Sequence, residues 1–197
     1  MALATRRAAL AGAAVLAAAT VAVTTLWRKP EVFTPVTGPD ADHVDLQGMS
    51  ALKLSDPPLP VPPIAFTDGD GATYGLEKFA GRGVVLNLWA TWCAPCVAEL
   101  PSLAALARAL GPAHVVVLPL SSDRGGAPVV RRFYQERGIV GLGVWLDPKG
   151  AAEEALKIRG VPTTLLIDGT GRERARLEGA ADWASPEAQA TIRKLLG

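Results

Sequence analysis

The chain has 197 residues, 49% of them hydrophobic, with 20 basic and 19 acidic side chains, which suits one domain of ordinary size plus an N-terminal segment. Arg6, Arg7, Arg28 and Lys29 fall among the first 29 residues, where no acid occurs; the rest carries 16 basic against 19 acidic residues, a net −3 that argues against nucleic-acid binding by bulk charge. Two cysteines, Cys93 and Cys96, are too few for a disulfide scaffold.

Residues 8–27 run AALAGAAVLAAATVAVTTLW without a charge, long enough to cross a bilayer as a helix. Arg6 and Arg7 keep that end in the cytoplasm, although Arg28 and Lys29 weaken the asymmetry. The expectation is a membrane anchor over 1–29 that exports the rest of the chain. A signal peptide cleaved near the small residues Ala17 to Ala19 is the alternative, and Thr5-Arg6-Arg7 weakly resembles a twin-arginine signal. Residues 30–60 read as a proline-rich spacer, because eight of the 16 prolines lie within 28–63. Asp42 to Leu54 is expected as a short helix, stopped by Asp56-Pro57-Pro58.

The folded domain is expected over 61–197. Ile64 to Phe66 reads as a strand, Asp68 to Gly71 as a turn, Thr73-Tyr74 as an edge strand and Leu76 to Phe79 as a short helix. Val84 to Trp89 is an apolar strand that runs through Trp92-Cys93-Ala94-Pro95-Cys96 into a helix ending at Gly111, with Pro101 inside it. His114 to Leu120 is a strand buried on both faces. A helix over Val129 to Gly138, a strand over Leu142 to Leu146 and a helix over Ala151 to Ile158 follow. Thr163 to Ile167 is a strand, and a turn at Asp168 to Gly171 leads to an alternating edge strand, Glu173 to Glu178. Ser185 caps a last helix with Pro186 at its first position. Strands alternating with helices, with a hairpin near the end, make an α/β fold with a mixed sheet flanked by helices.

Chemistry concentrates at Cys93 and Cys96. Two thiols three apart at a helix start can close and reopen a small disulfide. Unpaired N–H groups and the helix dipole favour negative charge on the first, and thiolate is the attacking species in thiol–disulfide exchange. Cys93 is therefore the candidate nucleophile and Cys96, one turn in and more buried, the resolving thiol. Pro95 suits the first turn. A zinc site needs two further ligands, and neither His43 nor His114 has ligand spacing. A structural disulfide this short closes a tiny loop and contributes little. No metal or cofactor is expected beyond the redox-active Cys93–Cys96 pair. Trp89 and Trp145 read as core residues, Trp183 as packing the last helix onto the sheet, and Trp92 as an exposed flank of Cys93.

Trp92-Cys93-Ala94-Pro95-Cys96, Glu99-Leu100-Pro101 and the distant Val161-Pro162-Thr163 resemble the thioredoxin superfamily. More narrowly they resemble the TlpA/ResA/CcmG group of membrane-anchored thiol–disulfide oxidoreductases, with a TlpA-like cast in Asn87 to Trp92 and in Ala181 to Ser185. The resemblance spans about 59–197. It implies a thioredoxin fold with a helix-and-strand insertion within 115–160 and an N-terminal extension. It implies a cis Val161-Pro162 bond facing the disulfide, and a docking patch of Trp92, Ala94, Pro95, Val161 and Pro162. Asn87 departs from the buried aspartate of ordinary thioredoxins and cannot accept a proton, so Glu99 is the candidate proton relay for Cys96; the alternative is an exposed helix glutamate favoured by the dipole.

What the resemblance implies about function is an exported, membrane-tethered protein-disulfide reductase. Its clients would be disulfide-bearing proteins: a Sco-like copper protein or oxidase subunit in cytochrome oxidase assembly, or apocytochrome c. A DsbD- or CcdA-type membrane protein would re-reduce it in the periplasm or extracytoplasmic space. A monomer is the default, since no heptad run is present. Three rivals stay open: a copper metallochaperone, which in the Sco type uses a wider cysteine spacing and a histidine; a thiol oxidase; and a peroxidase, which needs T-x-x-C whereas Thr91 and Cys93 are two apart.

Overall fold

The computed structural model describes residues 46–111 and 114–197. Gly83–Trp89 (β4) is its centre. All seven residues are buried, and their side chains divide by the strand's period of two. Val84, Leu86 and Leu88 enter one core cluster, with Phe66, Leu118, Leu120, Leu165 and Ile167. Val85 and Trp89 enter the other, with Leu100, Leu103, Leu106 and Ile192. Asn87 is placed on this second face, the only polar side chain of the strand.

Eight strands form one mixed sheet in the order β1-β8-β7-β4-β5-β6-β2-β3. They are Lys53–Pro60 (β1), Ala65–Asp68 (β2), Thr73–Gly75 (β3), β4, Val115–Ser121 (β5), Trp145–Leu146 (β6), Thr163–Ile167 (β7) and Arg172–Glu178 (β8). β4 pairs with β5, and β5 with β6, in parallel; the other pairings are antiparallel. Parallel neighbours need crossovers. Ala94–Leu110 (α1) supplies the first and Ala127–Arg137 (α2) the second. Ala151–Ala155 (α3) precedes β7, and Pro186–Leu196 (α4) closes the chain behind the Ser185 cap, whose hydroxyl accepts from the Ala188 amide. The expected α/β thioredoxin-like fold is present, with α2 and β6 as the insertion between its halves.

The N-terminal boundary differs from the expectation. The sheet begins at Lys53, not near Val61, so residues 53–60 belong to the domain and not to the spacer. Pro57, Pro58 and Pro60 are tolerated because β1 is an edge strand. β8 accordingly has a neighbour on each side and is not an edge. Of the helix expected over 42–54, residues 42–45 lie outside the described residues, and 46–54 hold one 3-10 turn, Met49–Ala51, followed by the start of β1. Two later elements are shorter than expected, Trp145–Leu146 and Ala151–Ala155. The expected anchor over 1–29 and the spacer up to residue 45 lie outside the described residues. Among the described residues, no helix is long and apolar enough to cross a membrane.

Candidate redox site

β4 delivers the chain to residue 89, and Ala90 to Trp92 turn it into α1. Asp123, just beyond β5, clamps this turn. Its carboxylate accepts from the Thr91 amide (2.9 Å), the Thr91 hydroxyl (2.7 Å) and the Ser121 hydroxyl (2.8 Å). Cys93 is the N-cap of α1, and Cys93 and Cys96 are joined in a disulfide. The Cys93 sulfur accepts the Cys96 amide at 3.2 Å, one of the N–H groups a helix start leaves unpaired. The same contact would stabilise a thiolate there. Cys93 is 6% exposed and Cys96 0%, as expected of an outer and an inner thiol.

The residues expected to form a docking patch gather around the disulfide. Trp92 is 64% exposed, and Ala94 and Pro95 are exposed beside it. Val161-Pro162 is cis, and the Val161 carbonyl oxygen lies 3.6 Å from the Cys93 sulfur. Pro162 itself is buried, and its carbonyl accepts from the Gly179 amide. A groove of about 770 Å³ opens next to Trp92, bounded by Ser122, Arg124, Pro148, Lys149 and Glu153. A second groove, about 490 Å³, lies against Phe79, Val84 and Ile167 and shares no residue with the cysteine turn.

Glu99 lies three residues after Cys96, and both are fully buried. It is not an exposed helix glutamate. Its Oε1 accepts from Asn87 Nδ2 (2.8 Å). Its Oε2 accepts from the Ala181 amide and from the Trp183 indole N–H, both at 2.9 Å. Burial pushes its pKa above the usual 4.5; the three donors pull the other way, and the balance stands at about 7. Asn87 also donates to Thr164 Oγ1 at 2.9 Å, the residue opposite it across the β4–β7 ladder. Asn87 Oδ1 is buried with no hydrogen-bond partner among the described residues.

Every candidate site residue named from the sequence is thus at or near the disulfide. Three further residues were not foreseen. Asn87, read only as a departure, is a donor to Glu99; its place on a buried strand was the available signal. Trp183, read as packing, also donates to Glu99 across 84 positions, and local sequence carries no signal for that. Asp123 drew no reading, although an aspartate just past a buried strand is a common cap for a neighbouring loop.

Residues 59–175 match the family described as the AhpC/TSA family. The chain is 35% identical over 111 residues to thiol-disulfide oxidoreductase ResA of Oceanobacillus iheyensis, covering 56% of this chain and 57% of that protein. It is 30% identical over 118 residues to ResA of Bacillus thuringiensis subsp. konkukian, covering 60% of this chain and 67% of the relative. Among solved structures it is similar to the pneumococcal exposed lipoprotein thioredoxin of Streptococcus pneumoniae. That match has a TM-score of 0.55 and 27% identity, over 68% of this chain and 100% of that one. The chain therefore spans between about half and two thirds of the length of the curated relatives it matches.

Proposed function

This chain belongs to the AhpC/TSA family and, within it, to the ResA/CcmG group of thiol–disulfide oxidoreductases, and from that premise we propose that it is an extracytoplasmic, membrane-tethered reductase of client-protein disulfides. The observation that carries the reading is the asymmetric pair. Cys93 sits at the helix start, next to an exposed tryptophan and with an amide N–H on its sulfur, while Cys96 is fully buried one turn from an equally buried carboxylate.

In the reduced protein, Cys93 thiolate attacks one sulfur of the client disulfide. A bond forms between Cys93 and the attacked sulfur, the client S–S bond breaks, and the other client sulfur leaves as thiolate. Cys96 passes its proton to Glu99 and attacks the Cys93 sulfur, expelling the second client thiolate. Two electrons pass to the client, and the Cys93–Cys96 disulfide remains. The pair is its own electron carrier and needs no bound metal or cofactor. A carboxyl group with a pKa of about 7 can take a proton near neutrality and give it back, as a relay between two thiols requires. Trp92, Ala94, Pro95 and the half-buried Val161 form the surface on which the client lies, while Pro162 is buried and shapes the loop through its cis bond.

The clients we propose are proteins of cytochrome oxidase copper-site assembly, a Sco-like protein or an oxidase subunit, with apocytochrome c as the alternative. Re-reduction falls to a DsbD- or CcdA-type membrane thiol relay. The uncharged run at residues 8–27 supports the tether, and an exposed lipoprotein among the structural relatives supports the location. Thr91 spends its hydroxyl on Asp123, which favours a reductase over a peroxidase.

Two measurements test this. Cys96→Ser should accumulate a mixed disulfide between Cys93 and its client in cells; the absence of adducts would overturn the mechanism. The midpoint potential of the pair gives the direction: near the roughly −270 mV of thioredoxin the protein is a reductase, and near the roughly −120 mV of DsbA it is an oxidase.

A further inference from the structure

The segment from Gly179 to Trp183, between β8 and α4, does more than connect them. It is fastened to α1 through Ser102 and Glu99 and to the chain before β1 through Gln47. The Ser102 hydroxyl donates to the Glu99 carbonyl one turn back at 2.8 Å, lies 3.3 Å from the Ala181 carbonyl and accepts from the Trp183 amide, and the Ala180 carbonyl accepts from the Gln47 amide. So held, it aims two N–H donors, the Ala181 amide and the Trp183 indole, at one oxygen of Glu99. An N–H group can donate and never accept. Two such donors, each at 2.9 Å, match the two lone pairs that Oε2 offers. The other oxygen receives a single donor, from Asn87. The two oxygens of Glu99 are therefore not equivalent.

We propose that Trp183 is a positioning residue for the proton transfer: with the Ala181 amide it holds Oε2 of Glu99, so that the proton from Cys96 goes to Oε1, and it biases the carboxyl toward its charged form. The proposal rests on Glu99 being the proton acceptor. It adds that a tryptophan distant in sequence sets where the proton sits and at what pH. The physical reason is selectivity for charge state. A donor held against a carboxylate oxygen loses a charged acceptor when the group is protonated, even at the other oxygen, so it favours the ionised group and opposes the effect of burial.

The test uses the full chain and oxidised glutathione as the disulfide. Reduction of glutathione disulfide by the dithiol protein, followed by tryptophan fluorescence, is measured against pH for the wild type, Glu99→Gln, Trp183→Phe and the double variant. The wild type should show a step near the pKa of Glu99, and Glu99→Gln should lack it. Trp183→Phe should keep the step but move it alkaline by about one pH unit, the loss of one hydrogen bond to a charged group. The double variant should match Glu99→Gln, because a residue acting through Glu99 has nothing left to act on. If Glu99→Gln retains the step, the relay role of Glu99 itself is wrong. If it loses the step while Trp183→Phe leaves the midpoint in place, the relay stands and the proposal for Trp183 fails. A deficit of Trp183→Phe that persists in the Glu99→Gln background also overturns it. Should Trp183→Phe not fold, the indole N–H resonance of Trp183 in the wild type decides: it should titrate with the Glu99 midpoint and be flat in Glu99→Gln, and a flat response in the wild type refutes the proposal.

Discussion

Glu99 should make the stability of the oxidised protein depend on pH in a way that one isosteric substitution removes. In the unfolded chain its carboxyl titrates near 4.5; in the fold burial holds the pKa at about 7. The folded state thus binds the proton more tightly, and stability from this group is complete below pH 4.5 and lost as pH rises through 7. A shift of that size, at 1.36 kcal/mol per pH unit, amounts to about 3 kcal/mol, most of it lost between pH 5 and pH 8. Glu99→Gln has no proton to lose. It should also fit the pocket: its carbonyl can take the Ala181 and Trp183 donors at the Oε2 position, and its NH2 can meet Asn87 turned to present the unpartnered Oδ1. The assay is urea denaturation of both proteins, disulfide intact, from pH 5 to pH 8. Other titrating groups cancel in the difference between them. The wild type should lose about 2 to 3 kcal/mol relative to Glu99→Gln across this range. Parallel curves would refute the reasoning, since a buried carboxyl with a displaced pKa cannot leave stability independent of pH.

Trp92→Ala removes a largely exposed side chain and should change stability by less than about 0.5 kcal/mol, while slowing client reduction in a turnover assay. Asp123→Ala strips the acceptor from the Thr91 amide and two hydroxyls and should cost about 2 to 3 kcal/mol in denaturant unfolding, with a further loss of reduction rate as the cysteine turn loosens. Leu103→Ala, on the buried face of α1, should cost about 2 to 5 kcal/mol by the same measurement and leave the pH step of Glu99 in place.

Much of the site was legible because its chemistry is local. A C-x-x-C at a strand-to-helix turn places two sulfurs within bonding distance by backbone geometry alone. Glu99 follows Cys96 by three residues, so helix periodicity puts both on one face. The strand Thr163 to Ile167 was legible for the same reason: an apolar run bounded by turn residues needs no distant partner to declare itself. β1 was not legible. Lys53 to Pro60 carries three prolines and no alternation of its own, and it is a strand only because β8 offers a ladder at the edge of the sheet.

Patterns along short elements were enough to read the α/β class and the placing of Cys93 and the more buried Cys96 at a helix start. What surrounds Glu99 depends on packing. Asn87 from β4, and Ala181 and Trp183 from the far end of the chain, meet at Glu99 because α1 packs on one face of β4 and the segment before α4 is held by Ser102 of α1. Hydrogen bonds across 12, 82 and 84 positions are products of packing, and no local pattern of residues encodes them.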